Sequence, residues 1–170
     1  TDEKVERNDF VDQLRAEVRH WRQFGYQRVT PISRKLLEHW ADERRENRIL
    51  FAQREAAETA IFLAEVVGRR DYVPSRGGQA TAWLDTIRSA NAEHNANLPR
   101  LALKMATGSG KTIVMAMLIA WQTLNKIASP HDSRFAKKFL VVTPGITIRD
   151  RLKVLQPADE GNYYDLRGLV

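Results

Sequence analysis

The chain contains no cysteine. That excludes a disulfide framework and any zinc site built on thiolates, and it fits a reducing compartment. Histidine is scarce as well, with four in 170 residues. His94 and His131 fall in polar, turn-like stretches without helical i, i+4 partners, so the sequence offers no histidine-based metal site. Long hydrophobic runs are missing. The most apolar stretch, Ile113 to Ala120, is too short to span a bilayer. The opening Thr1-Asp2-Glu3-Lys4 does not resemble a signal peptide. The expectation is a soluble, cytoplasmic protein with no membrane partner. There are no internal repeats and no low-complexity tract. Acidic residues become sparse in the second half. Residues 1–99 carry 16 Lys and Arg against 16 Asp and Glu, whereas residues 100–170 carry 11 against 5. The formal net charge of +6 therefore lies entirely in the second half, which suits polyanionic partners. A solvated basic surface would carry the same imbalance.

What is present is enough for a core: 43% of residues are hydrophobic. In the first 45 residues, Phe10, Val11, Leu14, Val18 and Trp21 recur at helical spacing. Arg15, Arg19 and Arg22 line another face, either solvated or able to meet phosphates. Gly25 ends this helix. Thr30-Pro31 then reads as an N-cap followed by proline at the first helical position, opening a second helix with Ile32, Leu36, Leu37 and Trp40. The charged run Asp42 to Arg48 is a connector, and the expected division is a helical extension over 1–45 and a second unit over 46–170. An Ala- and Glu-bearing helix is expected over about Leu50 to Val67 and another over Ala80 to Ala92, the latter within a helical insertion at about 69–99.

From Arg100 the pattern changes. Leu101 to Met105 reads as a short strand, and Thr112 to Asn125 as a helix that is apolar nearly all round. Phe139-Leu140-Val141-Val142 is a continuous β-prone run, the pattern of a parallel strand covered on both faces. Strand, helix and strand make a βαβ unit and predict an α/β fold. Between the first strand and the helix lies Met105-Ala106-Thr107-Gly108-Ser109-Gly110-Lys111-Thr112. Gly108 and Gly110 permit a tight turn and a close approach to phosphate. The loop amides of Thr107, Gly108, Ser109 and Gly110 and the positive end of the following helix suit an anion. Lys111 has the reach for the β- and γ-phosphates, and the Thr112 hydroxyl can ligate Mg²⁺. The ordinary phosphate-loop pattern has Gly where this chain has Met105. The plainer reading is a glycine-rich turn capping a helix, with an exposed lysine.

Two more segments carry chemistry. Gln53, in Phe51-Ala52-Gln53-Arg54-Glu55-Ala56, has an amide whose donor and acceptor complement the adenine edge, so it is a candidate for selecting ATP. The segment Thr143-Pro144-Gly145-Ile146-Thr147-Ile148-Arg149-Asp150-Arg151-Leu152 follows the second β-prone run. Loop amides, threonine hydroxyls and guanidinium groups there suit a nucleic-acid backbone, with Thr143, Pro144, Gly145 and Arg149 as the candidate contacts.

With these three segments in view, the chain resembles superfamily 2 helicases of the DEAD/DEAH-like kind. Through Met105–Thr112 and Phe139–Leu152 it is most similar to the restriction subunits of type III restriction enzymes. The family's first motif tolerates Ala-Thr-Gly-x-Gly-Lys-Thr, so Met105 is expected there. The resemblance implies a RecA-like phosphate-loop domain on a parallel sheet, ATP and Mg²⁺ as cofactors, and hydrolysis that drives movement along DNA, expected to be double-stranded, with RNA left open. It also implies a methyltransferase (modification) subunit as partner. The acids after Thr143 are Asp150, Asp159, Glu160 and Asp165, and none follows an apolar strand as the acidic second motif (Walker B) would. The expectation is an N-terminal fragment of a larger ATP-dependent translocase, inactive alone, with Glu160 to Tyr164 as a linker or surface loop. A phosphate-loop protein of another kind, a kinase or a nucleotide switch, is the alternative.

Overall fold

The computed structural model describes residues 8–69, 71–75, 82–95 and 100–170. Within them the chain is a bundle of helices. Helix α1 spans Asp9–Gln23, and its start is set locally: the Asn8 side chain accepts from the Val11 amide, and Asp9 and Asp12 sit in the first turn. Leu14, Val18 and Trp21 face inward as their spacing predicts, while Val11 stays 37% exposed. Helix α2 spans Pro31–Ala41 with Thr30 as N-cap, accepting from the Ser33 amide at 3.0 Å, and Pro31 in its first turn. Helix α3 spans Phe51–Ile61 and runs on into a π-helical turn at Phe62–Val67, where an unbroken α-helix was expected. Helix α4 covers Ala82–His94 and α5 covers Lys111–Ala128. Two short elements, α6 at Ile146–Arg151 and α7 at Tyr163–Leu166, flank a 3₁₀ turn at Leu152–Leu155.

Helix α5 packs against both α2 and α3, while α1 packs on α3 and α4. Val114, Ala116, Met117, Ala120 and Trp121 of α5 are buried, and Ile113, Met115, Leu118 and Ile119 pack against the core. This is the multi-sided burial that an all-round apolar helix requires. The same core contains a row of rings, Tyr26, Trp21, Phe62, Tyr72 and Trp83, with successive centroids 5.0, 5.3, 5.8 and 6.4 Å apart.

The α/β fold with a parallel sheet is not what forms. Among the described residues there is no strand; the β-prone runs at 101–105 and 139–142 are irregular chain without a ladder. The side chains there are not covered on two faces: Leu101 is 54% exposed, Leu140 89% and Val142 83%. A strand is stabilised by its neighbours, and two short runs that do not pair cannot make a sheet. The Glu160–Tyr164 stretch also differs from its expectation as a linker. Asn162 caps α7 and is buried, and Tyr164 is buried with its hydroxyl donating to Leu155 O at 2.9 Å.

Candidate nucleotide and nucleic-acid site

The loop before α5 is a tight turn built on two left-handed glycines, Gly108 at φ +78 and Gly110 at φ +80. Gly110 is the residue that starts α5, and its carbonyl accepts from the Ile113 and Val114 amides at 2.9 and 3.3 Å. The loop closes on Ala106: its carbonyl accepts from Ser109 Oγ at 2.7 Å and from Lys111 Nζ at 2.7 Å. The Lys111 ammonium is thus folded back over the turn, with further N–H donors left for an anion. A Cβ built on Gly108 would meet nothing within 4 Å, so the space before this glycine is open. Thr112 stands half-buried one residue along. An open glycine face, a lysine over it and the positive end of an 18-residue helix fit a polyphosphate.

Gln53 is brought to this loop from a distant part of the sequence. It is 3% exposed. Its Oε1 accepts from the Leu50 amide at 3.0 Å, closing the start of α3, and its Nε2 donates to Ser109 O at 3.0 Å. In this structure the amide therefore faces the phosphate loop rather than open space where a base would lie. Fit is tight: a Cβ on Gly110 would come within 2.2 Å of Gln53 Nε2. The sequence singled out Gln53 for its amide; its bond to a main-chain carbonyl of the loop left no signal in residue types.

The 143–149 candidates form a separate stretch of chain that leads into α6. Among the described residues, no hydrogen bond or ion pair joins them to the phosphate loop. Thr143 Oγ1 donates to Gly145 O at 3.2 Å, and Gly145 precedes α6 in extended backbone. Pro144 is exposed. Arg149 is exposed and 3.8 Å from Asp150, which Lys153 approaches at 3.3 Å. No residue of α6 is buried. The face is open and basic on balance, and α6 contacts the 3₁₀ turn that follows it. By contrast, two of the three arginines of α1 are committed within the protein. Arg15 pairs with Glu55 at 2.9 Å, and Arg22 binds the fully buried Glu58, to which Tyr26 Oη also donates at 2.7 Å. Burial, reinforced by the neighbouring Glu58 carboxylate, pushes the Tyr26 phenol well above its ordinary value of 10.0.

No group of three or more His, Cys, Asp or Glu that could hold a metal ion stands together among the described residues. The loop and the first turn of α5 offer hydroxyls at Thr107, Ser109 and Thr112 but no carboxylate of their own, so Mg²⁺ held there would lean on nucleotide oxygens and water. No helix of the described residues is long and apolar enough to cross a membrane.

Comparison with known proteins gives one family. The model for "Type III restriction enzyme, res subunit" matches residues 72–156, half of the chain, a span that contains both the glycine loop before α5 and the 143–149 segment. No curated protein and no solved structure matches the chain.

Proposed function

The chain belongs to the type III restriction enzyme res-subunit family, and on that premise we propose that it carries the nucleotide-binding loop and a DNA-backbone grip of a restriction-type translocase. The family is one of helicase-like, ATP-dependent DNA enzymes that use ATP and Mg²⁺. It implies DNA and a modification subunit as partners. In this reading, the amides of Thr107 to Gly110 surround the phosphates, Lys111 swings from Ala106 O to the β- and γ-phosphates, and Thr112 ligates Mg²⁺. Gln53 holds the loop from behind through Ser109 O and acts on the nucleotide through the shape of that loop. Thr143, Pro144, Gly145 and Arg149 meet the phosphates of double-stranded DNA.

The observation that carries the proposal is the geometry of the turn: two left-handed glycines at the start of α5, with Lys111 Nζ 2.7 Å from Ala106 O over an open face. An ordinary capping turn has no need of a lysine folded back over it. Hydrolysis requires a carboxylate to hold Mg²⁺ and another acid to orient water. Among the described residues no group of three or more His, Cys, Asp or Glu stands together to hold a metal ion, and in this reading the chain by itself binds nucleotide without sustained turnover.

Titration of the purified chain with Mg²⁺·ATP tests the first half. Lys111→Ala should weaken binding by about tenfold or more, the scale of a lost charged hydrogen bond, with an unchanged helical spectrum. Equal affinity in wild type and Lys111→Ala would contradict the assignment. For the grip, Thr143→Ala with Arg149→Ala should weaken duplex binding evenly across sequences and lower the salt slope by roughly one unit. Unchanged affinity and slope would place the DNA contact outside this loop.

A further inference from the structure

Resting on the assignment of the 143–149 segment as a DNA grip, we propose that Arg45 is a positioning residue for that grip, acting through a latch that ties the segment after it to the end of α2. The grip has no core of its own, since α6 buries nothing. Its position is set by the elements on its C-terminal side. The 3₁₀ turn and α7 both pack on α5, Leu155 is buried, and Tyr164 Oη ties α7 back to Leu155 O. The next four carbonyls, from Leu166 to Leu169, lie on a strap of chain and are all taken by side chains from the end of α2 and the connector. Asn47 Nδ2 donates to Leu166 O at 3.1 Å. One Arg45 nitrogen donates to both Arg167 O and Gly168 O at 2.7 Å. His39 Nε2 lies 2.7 Å from Gly168 O, and Trp40 Nε1 donates to Leu169 O at 2.9 Å. The Leu169 side chain is fully buried.

Arg45 is the centre of this latch. Besides the two strap carbonyls, its other terminal nitrogen donates to His39 O at 3.3 Å, so the guanidinium joins the strap to α2 itself. Its donors are directed at main-chain oxygens, which leaves it a poor ligand for a DNA phosphate. Helix α2 packs at the same time on α5, which carries Lys111 at its start. The latch therefore fixes the segment C-terminal to the grip to the same frame as the phosphate loop. Without it the strap loses its tie to α2, and the 3₁₀ turn and α7 keep only their packing on α5 as the reference for α6.

The test uses the whole chain as wild type, Arg45→Ala and Arg45→Lys, with a short DNA duplex at several salt concentrations and amide hydrogen exchange in parallel. Arg45→Ala should lose on the order of tenfold in duplex affinity, the equivalent of one charged hydrogen bond. Its salt slope should not change, because no phosphate contact is removed. Amide exchange should quicken over 146–155 as well as 163–170. Arg45→Lys, whose ammonium can still reach the carbonyls, should recover part of both effects. If Arg45→Ala does not fold, the Arg45→Lys comparison with wild type carries the test, with the same signs and smaller size. A salt slope lower by about one unit would make Arg45 itself a phosphate contact and overturn the proposal. So would exchange over 146–155 that stays at the wild-type rate. Wild-type chain that binds no duplex would instead sink the grip assignment, and the exchange comparison would still decide the latch.

Discussion

Gly110 bears two constraints at once. Its φ of +80 is costly for any residue with a Cβ, and a Cβ would come within 2.2 Å of Gln53 Nε2. Gly110→Ala should therefore break the Gln53–Ser109 bond and reshape the loop. The expected result is loss of Mg²⁺·ATP binding with a stability loss of about 1–3 kcal/mol by urea unfolding. Gly108→Ala, with open space before its Cβ, should cost only the left-handed backbone, about 1–2 kcal/mol. Tyr26 gives a pH-dependent prediction. Its pKa is raised in the folded chain by burial and by Glu58, so the unfolded chain loses this proton first as pH rises. The stabilisation is complete below pH 10.0 and declines as pH climbs beyond it. In alkaline urea titrations Tyr26→Phe should show a shallower decline than wild type; an identical decline would assign the alkaline loss to other groups. The tight turn at Gly108 and Gly110 was legible in the sequence because a left-handed backbone is carried by residue type and spacing. The partner of the Gln53 amide was not, because a main-chain carbonyl looks the same in every residue.

Among the elements, the starts of α1 and α2 depend on Asn8 and Thr30, which act within three residues, and the Thr30-Pro31 start was readable directly. The β-prone runs illustrate the opposite case. Phe139-Leu140-Val141-Val142 has the composition of a covered strand, yet strand formation depends on partners that composition does not specify. The π-helical turn shows a second limit. It sets Glu65 inward, at 1% exposure, in a cluster that joins three helical elements. Glu65 accepts from the Thr30 amide at 2.9 Å, from Trp121 Nε1 at 2.8 Å and from the Ser33 hydroxyl. Asn125 Nδ2 donates to Ser33 Oγ at 3.0 Å. The cluster fixes α5 to the start of α2, and a buried network of this kind is costly to leave half-made. Ser33→Ala removes a donor to Glu65 and an acceptor for Asn125 and Trp121, and should cost about 1–3 kcal/mol. Glu65→Gln, which keeps the shape and loses one acceptor, should cost less than Glu65→Ala. Urea midpoints that rank these two the other way would mean the carboxylate is not what the cluster needs.

Across the molecule, the two sites differ in how they are held. The candidate phosphate loop has an open outer face but an anchored base: it starts α5, which is packed on α2 and α3, and the buried Gln53 bonds to Ser109 O. The candidate DNA segment runs from Thr143 into α6, an element with no buried residue that contacts the 3₁₀ turn after it. Under the proposed function, a nucleotide loop anchored on packed helices and a DNA contact on an exposed element would divide stability as a translocase requires. The positive charge of residues 100–170 falls in the same half as both sites, so duplex binding should fall steeply with salt. The most direct test of the account is amide hydrogen exchange on the whole chain with and without Mg²⁺·ATP, read peptide by peptide. ATP should slow exchange over Thr107 to Val114, and Lys111→Ala should abolish that protection. Protection centred on any other segment, or protection that survives Lys111→Ala, would contradict the assignment of this loop as the nucleotide site.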